Sequence, residues 1–444
     1  MMQRVLKTMS ARLSFLDEHT LEVLKKSLAS TFVKVIGLII GLFLSVFLGR
    51  TLGAEGLGII NLSNRIVYML AVIVLLGMRD VIVKEIAIAF NKKDYLHIGN
   101  VMQTTYWING VFALIITIPL ILIAPWLSES VFNEPRLTFP LVISLVALVP
   151  YVFSYLFASA LVGARKIWQS NLVDQTLSIL VTTLLLVIIW LAKCDITINN
   201  VAISYAIGKA VVTISIGIYW GRIYKYNRKA DFIPRSLIKV SIPLFLSTSA
   251  AIVITNVDAI FLAGLSNTAD VGLYTVAVRV AFLTSFFLQV TNASVSPKIA
   301  ALYEIGKIDE IEKMIQRVTT GLLVIGFVPV LIFVFFGNYI LQLWGNEFTD
   351  AHIILIILSV GQLFNIGTGA VAQLLIMTGY HRENTIVTVG FMILNLLLNY
   401  ILISLYGIVG AAITYAFTIA GLNVVRVFIA KRKIGVLTIP VNWK

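Results

Sequence analysis

The chain has 444 residues, of which 59% are apolar and only 12% are Asp, Glu, Lys or Arg, about half the charge of an average globular domain. That is too little charge to cover a water-facing surface, so a soluble fold is excluded. The net charge of +13 is no signal of nucleic acid, because Lys and Arg gather on the cytoplasmic loops of membrane proteins.

Residues 1–27 carry Arg4, Lys7, Arg12, Lys25 and Lys26 with no apolar core before Leu28. They are expected to form a cytoplasmic, interfacial segment rather than a cleavable leader. Leu13, Leu16, Leu21, Leu24 and Leu28 suit a short helix on the membrane surface. Apolar runs of about 20 residues, each long enough for a hydrocarbon core of roughly 30 Å, then predict an all-α polytopic membrane protein of twelve transmembrane helices. The first lobe (28–221) holds spans at 28–50, 57–78, 101–125, 137–162, 172–192 and 199–221. A basic connector follows at 222–239. The second lobe (240–430) holds spans at 240–264, 271–295, 318–343, 352–377, 385–405 and 408–430, ahead of a cytoplasmic tail at 431–444.

Charge placement supports this threading. With both termini inside, the inward segments carry 26 Lys and Arg, and the outward ones carry three: Arg50, Arg136 and Lys193. Such an asymmetry sets orientation, and a wrongly counted span would scramble it. An internal repeat agrees. At an offset of 214, Ile40, Phe47, Leu48, Gly58, Arg65 and Lys84 meet Ile254, Phe261, Leu262, Gly272, Arg279 and Lys298. Six spans per half keep the orientation, so the lobes should be related by a pseudo-twofold axis along the membrane normal, with a site between them.

Apart from Arg50 at the outer end of the first span, seven charges fall within the spans: Lys34, Arg65, Asp174, Lys209, Asp258, Arg279 and Arg426. Each costs about 2.5–3.5 kcal/mol at mid-bilayer, so depth decides which need explaining. Arg65 and Arg279 lie about 12 Å from the outer ends of their spans at the helical rise, and Lys209 lies near the midplane. These three are expected to face a wet interior or a partner. Lys34 is close enough to the inner end to snorkel or to join them. Asp174 and Arg426 are expected at interfacial water. Asp258 either pairs with an interior cation or carries a coupling H⁺ or Na⁺. Asn61 shares a helix face with Arg65, and Asn395 shares one with Asn399. Arginine and amide groups together suit an anionic, hydroxyl-rich ligand. No Walker loop, metal-spaced histidine cluster or second cysteine beside Cys194 is present, so no catalytic residues, resident metal or cofactor is expected.

Phe47-Leu-Gly-Arg-Thr-Leu-Gly-Ala-Glu-Gly-Leu-Gly-Ile, Asn267-Thr-Ala-Asp-Val-Gly-Leu-Tyr and Gly407-Ile-Val-Gly-Ala-Ala-Ile resemble signatures of the polysaccharide transporter family in the multidrug/oligosaccharidyl-lipid/polysaccharide exporter superfamily. The resemblance implies a Wzx-type flippase of the bacterial inner membrane. Such a protein moves undecaprenyl-pyrophosphate-linked oligosaccharide units outward by alternating access, for O-antigen or capsule assembly, alongside polysaccharide polymerase and chain-length proteins. By resemblance to lipid II flippases, Lys34, Arg65 and Arg279 would hold the cargo; charge depth and helix spacing add Lys209 and Asn61 to that set and Asp258 as the carrier of a coupling H⁺ or Na⁺. A lipid II flippase and a cation-coupled multidrug exporter are the alternatives within the superfamily. Five basic residues against two acidic ones among those seven charges favour an anionic cargo.

Overall fold

The computed structural model describes residues 18–224 and 231–440, and no strand occurs among them. Residues 1–17 of the interfacial segment, 225–230 of the connector, 441–444 of the tail and the side chain of Asp174 lie outside the described residues. The first half contains α1 (Glu18–Leu75), α2 (Met78–Lys92), α3 (Tyr95–Trp126), α4 (Thr138–Val146), α5 (Leu148–Gly163), α6 (Ile167–Asn171), α7 (Ser178–Leu191) and α8 (Ile198–Ile223). The second contains α9 (Pro234–Leu265), α10 (Thr268–Glu304), α11 (Ile308–Leu341), α12 (His352–Gly367), α13 (Val371–Met377) and α14 (His381–Lys433).

Hydrocarbon offers no partner to a backbone N–H or C=O, so a spanning chain of this kind must satisfy them within helices. Nine helices among the described residues are long and apolar enough to cross a membrane. Two of them, α1 and α14, are double-length and bend at Gly53 (φ 70°) and Gly407 (φ 54°). Both bends fall where the sequence places an outward turn between spans, and both use the left-handed backbone that glycine adopts without strain. The short α7 occupies the expected fifth span, entered through a π-helical turn at Leu172–Leu177. Outward-facing apolar side chains cover the helices. Leu122, Phe335, Tyr339 and Phe428 are each more than 70% exposed, an arrangement that water would penalise and lipid does not.

The two halves meet where α1 packs against α9 and α10. At the expected outer end their backbones touch. A Cβ added to Gly58 would stand 1.8 Å from the Thr268 carbonyl oxygen, and one added to Gly272 would stand 2.0 Å from that of Ala54. Gly272 is the repeat mate of Gly58, and Thr268 is the repeat mate of Ala54. One contact is therefore made twice, as a pseudo-twofold axis requires. At the opposite end Gly77 (φ 74°) brings the end of α1 onto α9, where an added Cβ would lie 2.5 Å from the Ser241 carbonyl oxygen. The entry to α9 is pinned to α3, with the Asp231 and Ile233 N–H groups donating to Asn100 Oδ1 (2.7 Å) and Thr104 Oγ1 (3.0 Å).

Candidate functional site

Arg65 and Arg279 both lie half-buried at the seam between the halves. The Arg279 guanidinium, on α10, donates to the Gly41 carbonyl of α1 at 3.0 Å. Arg65, on the second arm of α1, reaches the Thr255 carbonyl of α9 at 3.5 Å. Thr255 is the repeat mate of Gly41, so the repeated arginine makes a repeated crossing, long on one side and short on the other. The two guanidinium groups are within electrostatic reach of each other. A single carbonyl engages one N–H of an arginine that has five to offer. Each side chain therefore retains most of its capacity to bind a phosphate or carboxylate bidentately.

The other sequence-selected residues divide between the halves. Lys209, on α8, lies 4.5 Å from the Tyr151 ring centroid and 3.4 Å from Asn64 Oδ1, inside the first half. Tyr151 and Tyr155 share a hydroxyl contact at 3.2 Å, and Arg79 sits 5.4 Å over the Tyr155 ring. Cations and aromatic rings thus alternate along α5 toward the inner end, an arrangement that attracts through the ring quadrupole. Lys34 is exposed on α1, seven residues from Gly41, so it lies about two turns below the Arg279 contact. Asn61 donates to the Leu57 carbonyl of its own helix at 2.8 Å, and this bond draws it away from Arg65.

Asp258 is 1% exposed within the second half. Its carboxylate accepts from Tyr274 Oη and Asn399 Nδ2, both at 2.7 Å. Asn399 continues to Asn395 at 3.1 Å, and Asn395 to Thr418 Oγ1 at 3.2 Å. Asp258 is thus satisfied by a phenol and an amide rather than by a bonded cation, and Arg65 is within electrostatic reach only. The Asn399 Oδ1 atom is buried with no hydrogen-bond partner among the described residues. A carboxylate bonded to a residue whose own neutral oxygen is orphaned offers the donor chemistry of a hard monovalent cation or a proton. The Asn395/Asn399 spacing announced part of this cluster. Thr418 carried no charge or motif by which to find it, and Tyr274, though it ends the Asn267–Tyr274 signature, carried no sign of a part in this cluster.

Arg426 is partly buried and bonds to Asn423 Oδ1 (3.2 Å) and Thr388 Oγ1 (3.0 Å), one partner on each arm of the bent α14.

A family model described as polysaccharide biosynthesis protein matches residues 23–303, and a second, MatE, matches 243–401. The chain is 26% identical over 221 residues to the capsular polysaccharide biosynthesis protein CapF of Staphylococcus aureus, covering 48% of this chain and 56% of CapF. It is 32% identical over 158 residues to a probable low-salt glycan biosynthesis flippase, Agl15, of Haloferax volcanii, covering 34% and 32%. The matches thus span about half and a third of those relatives' lengths. Among solved structures, an inward-facing multidrug resistance transporter of the MATE family aligns at TM-score 0.77 and 16% identity, over 92% of this chain and 98% of the other. The lipid II flippase MurJ, in an inward closed conformation, aligns at 0.70 and 15%, over 92% and 87%. At these identities the likeness is one of fold, a two-lobe helical transporter architecture.

Proposed function

The chain belongs to the polysaccharide biosynthesis protein family, and from that premise we propose that it is a flippase for undecaprenyl-pyrophosphate-linked oligosaccharide units. It would act in a bacterial inner membrane with both termini cytoplasmic. The repeated arginine at the seam, Arg65 and Arg279, carries this reading. A cationic seam between two lobes suits an anionic headgroup, while the lipid tail remains in the bilayer. Binding energy concentrated there favours whichever state lets both guanidinium groups reach the pyrophosphate, and a ligand shifts an equilibrium only by such differential affinity. Lys209, with Tyr151, offers a second cationic surface toward the saccharide. Lys34 offers one on the approach from the inner leaflet, and Asn61 borders the Arg65 turn. Delivery to polysaccharide polymerase and chain-length proteins belongs to the same proposal.

Asp258 is assigned the coupling H⁺ or Na⁺. Its support is complete burial, neutral partners and the orphaned Asn399 oxygen. A cation or proton there would change the charge inside the second half and so bias how that half packs on the first.

The test is replacement of Arg65 and Arg279 by Ala in cells making the cognate glycan. Normal insertion with lipid-linked units accumulating on the inner leaflet is expected, and undiminished surface glycan would overturn the assignment. A cation-coupled exporter is favoured only by the MatE match over the half that holds Asp258. Lost drug resistance with intact glycan would select it.

A further inference from the structure

The seam carries another crossing that neither the cargo site nor the ion site uses. In the first half, the turn between α3 and α4 holds Glu134. In the second, the turn between α11 and α12 holds Glu347, one position short of the strict repeat mate. The Glu134 carboxylate is 8% exposed and accepts at 3.0 Å from the hydroxyl of Thr268, the first residue of α10 in the opposite half. Glu347 is exposed and accepts at 2.8 Å from the Ala54 N–H, the first after the bend in α1, again in the opposite half. Thr268 is the repeat mate of Ala54. Each half therefore extends one carboxylate to the start of the other half's second helical arm, where free N–H groups and the helix dipole favour negative charge.

The surroundings show how these bonds are held. Arg136 grips Glu134 through two contacts, at 2.8 and 3.0 Å, and Glu55 through one at 2.7 Å. Its guanidinium holds the Glu134 carboxyl below the usual glutamate range. Two further crossings accompany Glu347, a charge-assisted one from Arg50 Nε to the Leu343 carbonyl (2.7 Å) and a neutral one from Trp344 Nε1 to Ser45 Oγ (2.9 Å). All of these lie at the end that the Lys/Arg asymmetry places outside.

We propose that Glu134 and Glu347 are paired latches of the outer mouth, and that both must release before the halves can part there. They are positioning residues for the transport step and touch no cargo. The proposal rests on the alternating-access reading above. Glu134, buried and pre-oriented, is the stronger latch, and Glu347, open to water, is the weaker. Charge-assisted bonds suit the task because water replaces them on opening, whereas an apolar seal would leave bare surface at the mouth.

Spin labels on the native, exposed Cys194 and on Tyr406→Cys, in the outer turns of opposite halves, report the mouth by pulsed electron resonance on the purified full chain. The double variant Glu134→Gln/Glu347→Gln is expected to raise the long-distance population roughly tenfold, with Glu134→Gln alone giving most of the change. Thr268→Val removes the donor and leaves both carboxylates in place, and it should move the distances the same way. If all three fold and the distribution stays that of the parent, the latch is overturned. If the Gln variants fail to fold, Thr268→Val decides alone, and an unchanged distribution again overturns it. The distances require no cargo, so a wrong glycan assignment would leave the shift intact, and a wrong latch would leave the Arg65/Arg279 transport test standing.

Discussion

Asp258 and Tyr274, the carboxylate and phenol at the centre of the second half, have Leu44 and Ile60 as their repeat mates in the first, both 2% exposed. At the seam the same register pairs Arg279 with Arg65, Gly272 with Gly58 and Thr268 with Ala54. At the seam the repeat keeps the arginine and the glycine, whereas in the interiors it keeps neither the carboxylate nor the phenol. The first half instead gathers Lys209 against Tyr151. Contacts between lobes must fit each other and so change together. An interior is constrained only by its own packing, and each is free to acquire a different chemistry, here a cation in one half and a carboxylate in the other.

The sharpest way to break this comparison is at the glycines. Gly58→Ala and Gly272→Ala each force a methyl group against a backbone carbonyl that has no rotamer to yield. Each is expected to cost about 3 kcal/mol, read as a lowered Tm in detergent. The two losses should be similar, and strongly unequal losses would mean that the seam is not symmetric. A smaller effect separates the interiors. Asp258→Leu matches the first half's Leu44 but strands the Tyr274 hydroxyl and an Asn399 N–H, at about 2 kcal/mol. Asp258→Asn retains an acceptor, so it should recover most of the stability while still abolishing gradient-driven transport. Transport that survives in Asp258→Asn would remove the ion role from this half.

The smallest effect is one of pH. Glu134 is held below the ordinary glutamate range by Arg136, so its contribution is complete above that range and is lost as pH falls through its lowered folded value. Arg136→Met should bring that loss on at a higher pH. Because Arg136 is half exposed, the change is no more than about 1 kcal/mol, visible in Tm measured against pH.

Hydropathy and charge placement made the helical fold legible, because a bilayer imposes length and polarity on every span. The Arg65/Arg279 pair stood out because intramembrane charge is scarce, and Asn395/Asn399 because they share a helix face. What those arginines touch was hidden. Gly41 and Thr255 contribute carbonyls, which any residue carries. Tyr274 and Thr418 are neutral and common. Glu134 and Glu347 lie in turns with no motif around them, and only the fold sets each beside the opposite half. Spacing placed Asn61 on the face of Arg65 but could not show that its amide bonds back to Leu57.

Gly58 meeting Thr268 while Gly272 meets Ala54 has the form of an isologous interface, in which i touches j and j touches i. Two subunits normally make such a surface; here a duplicated chain makes it with itself. It inherits the arithmetic of a homodimer at fixed, intramolecular concentration. When two like contacts open in one step, their equilibrium constants multiply. A modest bias per contact then becomes a squared bias in the population of the open mouth, without any dependence on how much protein the membrane holds.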